Sequence, residues 1–515
     1  VNAPALILVL CIILPAGFFP RAAAAQVSAA AFDTATAASV WGAALSYIAP
    51  RALQKLSLPQ MTIWGLNGLT ALDPDLTAAL QDNQIRLYGP DQLLIAVPAP
   101  PESDAVAWGK AAAAVANAAY AASPALQQAG TQGVIESFFD ELFNHFDPYS
   151  RYEPPIQAAQ DQLMITGIAG PGFLVRRQGN HVVVDSVAAD SPAAEAGLQP
   201  GTQILAIDGK LASPYQIATI NDNLNGILGS TLTLRIIQPD DPTGLPTDIP
   251  LTRAFVPPET VFPEIFAPDQ KFLALKITLF NKGTSDQFSA ALVAGMAATP
   301  PPTGLVIDLR GNRGGVLRQA VLVADSLLPA GMIAQAAGRD PAAAQKFIAE
   351  GSDLTGGLPM VVLVDGQTAS AAEILAAALA DDRRAVVVGS STLGKGLVQT
   401  VTALPDGGEL FITWSRVLAP RGWPLQTLGV VPQICTSLGE LALESQLAAL
   451  AQGRDLLKPV LAAARAARAS MNINDILNIR DQCPAAIGGA LDIKAASTLM
   501  ESPAAYRAAL LAPAS

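Results

Sequence analysis

Residues 360–400 constrain this chain more than any other stretch. They read M-V-V-L-V, D-G-Q-T-A-S, A-A-E-I-L-A-A-A-L-A, then R-A-V-V-V-G, and close on S-S-T-L-G-K-G-L-V-Q-T. Side chains alternate across a strand, so a run that is apolar at every position needs a sheet covered on both faces. With an Ala-rich helical segment between two such runs, the unit reads as strand, helix and strand of a layered α/β fold. The segment G-L-V-I-D-L-R at 304–310, followed by G-N-R-G-G and V-L-R-Q-A-V-L-V-A-D-S-L-L, repeats it. Loops after the carboxyl ends of such strands gather at one edge of the sheet. G-N-R-G-G and D-G-Q-T-A-S are therefore expected to face one crevice.

The chemistry of that crevice starts from Ser370, which precedes A-A-E-I-L and so stands at a helix N-terminus. Free N–H groups there favour developing negative charge. The N–H of Ala371, with one from Gly314 or Gly315, would form an oxyanion hole, although a plain N-cap serine fits the same pattern. A serine hydroxyl needs a base. The chain has two histidines; His145 sits before Asp-Pro and His181 opens a strand, both structural positions, and no G-x-S-x-G elbow occurs. A neutral lysine can serve if its pKa falls about three units from ~10.4, a differential of roughly 4 kcal/mol. Burial produces such a shift. Lys395 lies among Val386, Val387, Val388, Leu393, Leu397 and Val398, in a segment without an acidic residue from 385 to 404. Gln399 follows four residues on, placed to hold the lysine nitrogen.

Length and charge bound the rest. At 515 residues the chain exceeds one ordinary core, so three or four units are expected. A net charge of −12, with no cluster of Lys or Arg, excludes nucleic acid and anionic membrane as main partners. The apolar run 5–19, then Arg21 and A-A-A-A-Q, reads as an export signal ending at 25, without Met or a positive start. An uncleaved anchor is the alternative. Cleavage leaves Cys435 and Cys483, either one disulfide or two buried thiols. Residues 26–165 read as helical, with the Ala-rich run 105–122 as a packed helix or a loose arm. The tail 437–515 is again helical, a packed cap or an oligomer contact.

Between them, 166–257 changes to short strands and turns. The phrase S-P-A-A-E-A-G-L-Q-P-G-T-Q-I-L-A-I-D-G at 191–209 resembles a PDZ domain. That resemblance implies capture of a peptide carboxy terminus beside a sheet edge, its carboxylate held by backbone N–H groups. The corresponding loop is Gly170-Pro171-Gly172-Phe173, in which Pro171 lacks a donor. Thr202 replaces the usual acidic residue.

D-L-R-G-N-R-G-G at 308–315, T-A-S-A-A-E-I at 368–374, T-L-G-K-G-L-V-Q at 392–399 and G-V-V-P-Q-I at 429–434 resemble the ordered signatures of the carboxy-terminal processing peptidases. D-P-Y-S-R-Y at 147–152 stands ahead of them. Departures are Gly311, Arg313 and Gln433. The resemblance implies a multidomain α/β chain: signal 1–25, helical region 26–165, PDZ domain 166–257, crotonase-like protease core 258–436 and helical extension 437–515. It implies Ser370 as nucleophile, Lys395 as general base, Gln399 orienting the lysine, and Gly314 or Gly315 with Ala371 at the oxyanion. The expected activity is exported, periplasmic cleavage of proteins recognised by their C-termini, without cofactor or metal. An activating partner or a homo-oligomer stays open. The alternative is an inactive adaptor that binds C-termini. G-S-S-T-L-G-K-G at 389–396 imitates a phosphate loop, but Gly396 replaces the metal-binding hydroxyl and a strand-like run follows.

Overall fold

The computed structural model describes residues 31–513 apart from 167, 189–190, 265, 267–270 and 469–470. The expected export signal lies outside the described residues.

At the centre is a six-stranded sheet in the order Val261–Glu264, Phe272–Ile277, Gly304–Asp308, Met360–Val364, Val386–Gly389 and Ile434–Cys435. The first pair is antiparallel and all later pairs are parallel. Asp308 pairs with Leu363 and Val364 with Gly389, so these strands end level with one another and their loops emerge together. The all-apolar runs divide their side chains as the pleat requires. Met360, Val362 and Val364 face the helix Ala371–Asp381, packing with Leu375 and Leu379. Val361, Leu363, Val386 and Val388 face the opposite way, onto Leu443, Leu450, Ala495 and Leu499.

Those last four residues belong to the helices Glu440–Ala451 and Ala490–Glu501 of the tail. The tail is therefore a packed cap that supplies the second cover the strands need. It is bonded covalently to the sheet by the disulfide Cys435–Cys483, with Cα atoms 5.7 Å apart. Arg310, just past the strand Gly304–Asp308, pairs with Asp308 and with Asp492 of the tail at 2.6 and 3.2 Å.

A second sheet runs Gln345–Ala349, Gly331–Gly338, Glu409–Leu418, Leu397–Ala403, with Arg151–Glu153 added on Glu409–Leu418. Another sheet, in the order Thr247–Thr252, Thr231–Ile237, Gln203–Ile207, His181–Val187, Phe173–Gln178, encloses its own core of Val182, Ile204, Ile220 and Leu234. Its last strand lies against the helix Ile217–Leu224.

The N-terminal region needs a correction. Helices Thr34–Arg51, Leu58–Leu72, Ala105–Ala122 and Pro124–Phe143 start at side-chain caps Asp33, Ser57, Asp104 and Ser123, but the region is not all helical. Residues Thr77–Gln81, Gln84–Tyr88 and Leu93–Pro98 form an antiparallel meander. Its first turn is the pair Asp82-Asn83, both at positive φ, 49° and 57°. Two such residues form the turn whose twist suits a hairpin, and Asn and Asp tolerate it. The Ala-rich helix is packed, not a loose arm. A Cβ on Gly109 would lie 2.3 Å from Gly42 N, so small residues bring two helix backbones together.

Candidate active site

The two expected loops meet at the carboxyl edge of the central sheet. Gly311 N–H donates to Asp365 Oδ1 at 3.0 Å, Thr368 Oγ1 to Leu309 O at 2.9 Å, and Ala369 N–H to Asn312 O at 2.9 Å. The contact is closest at Gly314. A Cβ there would lie 2.8 Å from Ser370 Cβ and 2.9 Å from Ala369 O, which no side chain tolerates. The tail supports the loop from behind, with Gly366 N–H on Ala486 O at 2.8 Å and Gly488 N–H on Asp365 Oδ2 at 3.2 Å.

Ser370 immediately precedes the helix Ala371–Asp381, with φ 55° and ψ −118°. A non-glycine residue in that region is strained, and such strain persists where neighbours over-determine it. The neighbour responsible is Glu373, fully buried. Its Oε2 accepts the Ser370 N–H at 2.7 Å and the Lys395 N–H at 2.8 Å; its Oε1 accepts the Gly394 N–H at 2.7 Å and the Thr392 hydroxyl. One carboxylate thus joins the backbone of the serine turn to that of the lysine loop. Burial pushes the Glu373 carboxyl up, and its four donors hold it down. Sequence reasoning missed this residue. The one available signal was a Glu three residues after a helix-capping serine.

The N–H groups near Ser370 are now distinguishable. Gly314 N–H donates to Asn312 Oδ1 at 2.8 Å. Those of Gly315 and Ala371 meet no acceptor among the described residues. Of the two glycines considered, Gly315 is the one with a donor to spare. Its φ of 134° and the approach of Phe280 O, 2.1 Å from a Cβ placed there, both require glycine.

Lys395 lies in the loop before the strand Leu397–Ala403. Its Nζ sits 4.7 Å from the centre of the Tyr149 ring. Burial lowers its pKa first, and the Arg151 cation lowers it further, while Glu373 opposes both. The local absence of acidic residues along the chain therefore did not describe the surroundings in space. Among the described residues no hydrogen bond joins Ser370 Oγ to Lys395 Nζ. Gln399 Nε2 donates to Thr413 Oγ1 at 3.1 Å and Leu397 O at 3.3 Å. Thr413 Oγ1 donates in turn to Asp147 Oδ1 at 2.7 Å, and Thr413 N–H to Ser150 Oγ at 3.0 Å. The D-P-Y-S-R-Y turn thus forms the wall beside the lysine, supplying Tyr149 and Arg151. The glycine-rich run 389–396 is followed by a strand, as expected for a chain that is not a phosphate loop.

In the PDZ-like unit, Gly170 ends the short strand Ile168–Gly170 and Phe173 begins Phe173–Gln178. Pro171 O and Gly172 O accept the N–H groups of Ala193 and Ala188, each at 2.8 Å. The Gly172 N–H meets no acceptor among the described residues. Thr202 is buried and donates to Gln238 Oε1 at 2.8 Å, a structural role.

The sequence profile of Peptidase family S41 matches residues 271–436, and that of the PDZ domain matches 183–236. A carboxy-terminal-processing protease of Bartonella bacilliformis is 33% identical over 306 residues, which are 59% of this chain and 69% of that one. A carboxyl-terminal-processing protease of Synechocystis is 32% identical over 291 residues, 56% of this chain and 67% of that one. Among solved structures, the photosystem II D1 C-terminal processing protease aligns with 26% identity and TM-score 0.35, covering 72% of this chain and 92% of that one. Matching in both its PDZ and peptidase regions, the chain belongs to peptidase family S41, the carboxy-terminal-processing proteases.

Proposed function

We propose that this chain is an exported serine endopeptidase with a Ser370/Lys395 dyad, acting on proteins selected by their C-termini. The observation that carries the reading is the convergence at Ser370. The strained serine lies against Gly314, beside the free N–H groups of Gly315 and Ala371, and is joined through Glu373 to the loop of a lysine whose pKa burial lowers. In this mechanism neutral Lys395 Nζ takes the Ser370 proton as Oγ attacks the scissile carbonyl. The Gly315 and Ala371 N–H groups stabilise the resulting oxyanion. The ammonium then returns the proton to the leaving amine, and water cleaves the acyl-enzyme by the same base. Gln399 orients the lysine in the working arrangement.

The PDZ-like unit, 166–257, is proposed to hold the substrate tail between Phe173–Gln178 and Ile217–Leu224, with the carboxylate at Gly170, Pro171, Gly172 and Phe173. It delivers the tail to the core, 258–436. Export is supported by the disulfide, since such bonds persist in oxidising compartments. No helix among the described residues is long and apolar enough to cross a membrane.

A second reading has one observation in its favour. Lys395 rests on Tyr149 and Gln399 on Thr413, with the dyad unbonded, as suits an adaptor that binds C-termini without cutting. The test is cleavage of an unfolded protein with an apolar C-terminus by wild type, Ser370→Ala and Lys395→Ala. Activity in wild type alone supports the dyad, equal activity in all three removes it, and inactivity with retained tail binding selects the adaptor.

A further inference from the structure

Residues 484–489, P-A-A-I-G-G, form neither helix nor strand, yet they touch all three loops at the carboxyl edge of the central sheet. Ala486 O accepts the Gly366 N–H at 2.8 Å and the Ser390 hydroxyl at 2.9 Å, and Ala486 N–H donates back to Ser390 Oγ at 3.0 Å. Gly488 N–H donates to Asp365 Oδ2 at 3.2 Å, and Gly489 O accepts from Arg310 Nη1 at 3.0 Å. Asp365 in turn holds the serine loop, its Oδ1 accepting the N–H groups of Gly311, Gln367 and Thr368. Ser390 begins the loop that leads to Lys395. One short segment therefore braces the glycine-bearing loop, the serine turn and the lysine loop together.

The segment is anchored covalently at one end. Cys483 precedes it and is bonded to Cys435, which lies in the last strand of the sheet beside Gly389. The tail helices do not need that bond, because Glu440–Ala451 and Ala490–Glu501 bury Leu443, Leu450, Ala495 and Leu499 on the sheet. The segment does need it. Residues 484–487 are exposed, so without the disulfide they are held to the core by the hydrogen bonds above alone. Segments with few buried contacts open locally while the rest of a protein stays folded.

We propose that residues 484–489 are a positioning element of the active site and that the Cys435–Cys483 bond is its latch, so that the chain becomes fully active only when the two thiols are oxidised. This rests on the Ser370/Lys395 reading above. In the reduced chain the segment comes away, Asp365, Gly366 and Ser390 lose their partners on it, and the Ser370 turn is no longer held in its strained geometry. Closure is thiol–disulfide exchange with a small disulfide such as glutathione disulfide. One cysteine thiolate takes up a glutathione sulfur and releases the other, and the second cysteine then displaces the one that was taken up. The chain gives up two electrons and two protons, and the oxidant leaves as two thiols. Both sulfurs are fully buried once the bond is made, so a reductant meets them only after the segment opens, and the latch closes more readily than it reopens. A protease made in a reducing compartment and moved to an oxidising one is thereby held back until it arrives.

The test compares the full chain made and purified under reductant, the same chain after glutathione disulfide, the double variant Cys435→Ala/Cys483→Ala, and oxidised Ser390→Ala. Two quantities are read: hydrogen–deuterium exchange over residues 365–370, and cleavage of an unfolded protein with an apolar C-terminus. The reduced chain is expected to keep a cooperative melt and to exchange residues 365–370 about tenfold faster. Its kcat is expected to be about tenfold lower with KM little changed, since positioning is lost and tail capture is not. Glutathione disulfide should restore both quantities in the wild type and neither in the double variant. Ser390→Ala keeps the disulfide and removes two bonds to Ala486, so it should show both effects at about threefold. Equal exchange in the reduced and oxidised chains overturns the proposal, as does faster exchange with unchanged cleavage. Loss of the cooperative melt on reduction overturns it too, because the bond would then hold the whole core. An oxidised wild type that cuts nothing removes the Ser370/Lys395 reading instead, and exchange alone then decides whether the disulfide braces the loops.

Discussion

The two helical ends of this chain look alike in composition and do different work. The N-terminal helices enclose an interior in which Trp41 stacks on Phe138 with ring centres 4.4 Å apart and Leu66, Trp108 and Phe139 are fully buried, closed on one side by Leu410 and Ile412 of the strand Glu409–Leu418. The C-terminal helices have no such interior. Leu443, Leu450, Ala495 and Leu499 pack on the sheet strands themselves. One end is a unit that presents a turn to the site, and the other is half of the protease core. Similar apolar helices build an interior among themselves or serve as a cover depending on whether the adjoining sheet has a face left bare.

The sharpest way to break this comparison is truncation. A chain stopped after Ser437 uncovers Val306, Val361, Leu363, Val386 and Val388, each worth roughly 1.5–3 kcal/mol when buried. The sum reaches the whole stability of a typical domain, about 5–15 kcal/mol. The expected outcome is insoluble protein without a cooperative core transition, and a soluble, cooperatively melting product would show that the tail is dispensable.

Point substitutions divide the ends more finely. Leu499→Ala and Leu66→Ala should each cost about 2–5 kcal/mol, the usual range for a buried leucine. Calorimetry should show them lowering different transitions, the protease core in the first and the helical N-terminal region in the second. A single shared transition would mean that the two ends fold as one body.

Asp382, just past the helix Ala371–Asp381 and against Gly331, probes the protease core itself. Burial and the neighbouring Asp381 charge push its carboxyl up to about 6, and its Oδ2 has no partner among the described residues. Its folded pKa exceeds the unfolded value of 3.8, so the group favours the fold when protonated. That contribution is complete below the unfolded pKa and is lost as pH rises through about 6. Asp382→Asn should therefore match wild type near pH 4 and exceed it by about 1–3 kcal/mol at pH 7–8. Melting curves across that range that stay parallel would refute the assignment.

The smallest effect separates the ends by electrostatics. Arg151, from the N-terminal side, lowers the Lys395 pKa by like-charge repulsion. Arg151→Gln should raise that pKa and move the acidic limb of kcat/KM to higher pH, with Arg151→Lys restoring it. Leu499→Ala should leave the limb in place while lowering stability. Movement of the limb in both variants would mean that the tail also tunes the base.

Much of the architecture was readable because it follows from local rules. All-apolar strand runs demanded two covers, and Ser370 stood where a helix begins; the exclusion of histidine made lysine the candidate base. The meander at 77–98 was missed because its alternation is weak beside the flanking helical runs, although Asp82-Asn83 carried the hairpin signal. Glu373 was missed because its four donors come from two places in the chain some twenty residues apart, the serine turn and the lysine loop, not recognisable as a set before folding.

What the sequence determined by itself was the covered parallel sheet, the crevice made by two glycine-bearing loops, and the kind of chemistry those loops can support. Periodicity and helix-end chemistry depend only on neighbours along the chain, so they survive reading in one dimension. Tertiary structure alone decided which glycine N–H stays free, that the tail and not a partner covers the sheet, and that Cys435 meets Cys483. It also placed a buried carboxylate under both the serine turn and the lysine loop, and an aromatic ring beside the lysine. Those outcomes depend on which distant groups share a few ångströms of dry space, and long-range packing sets that.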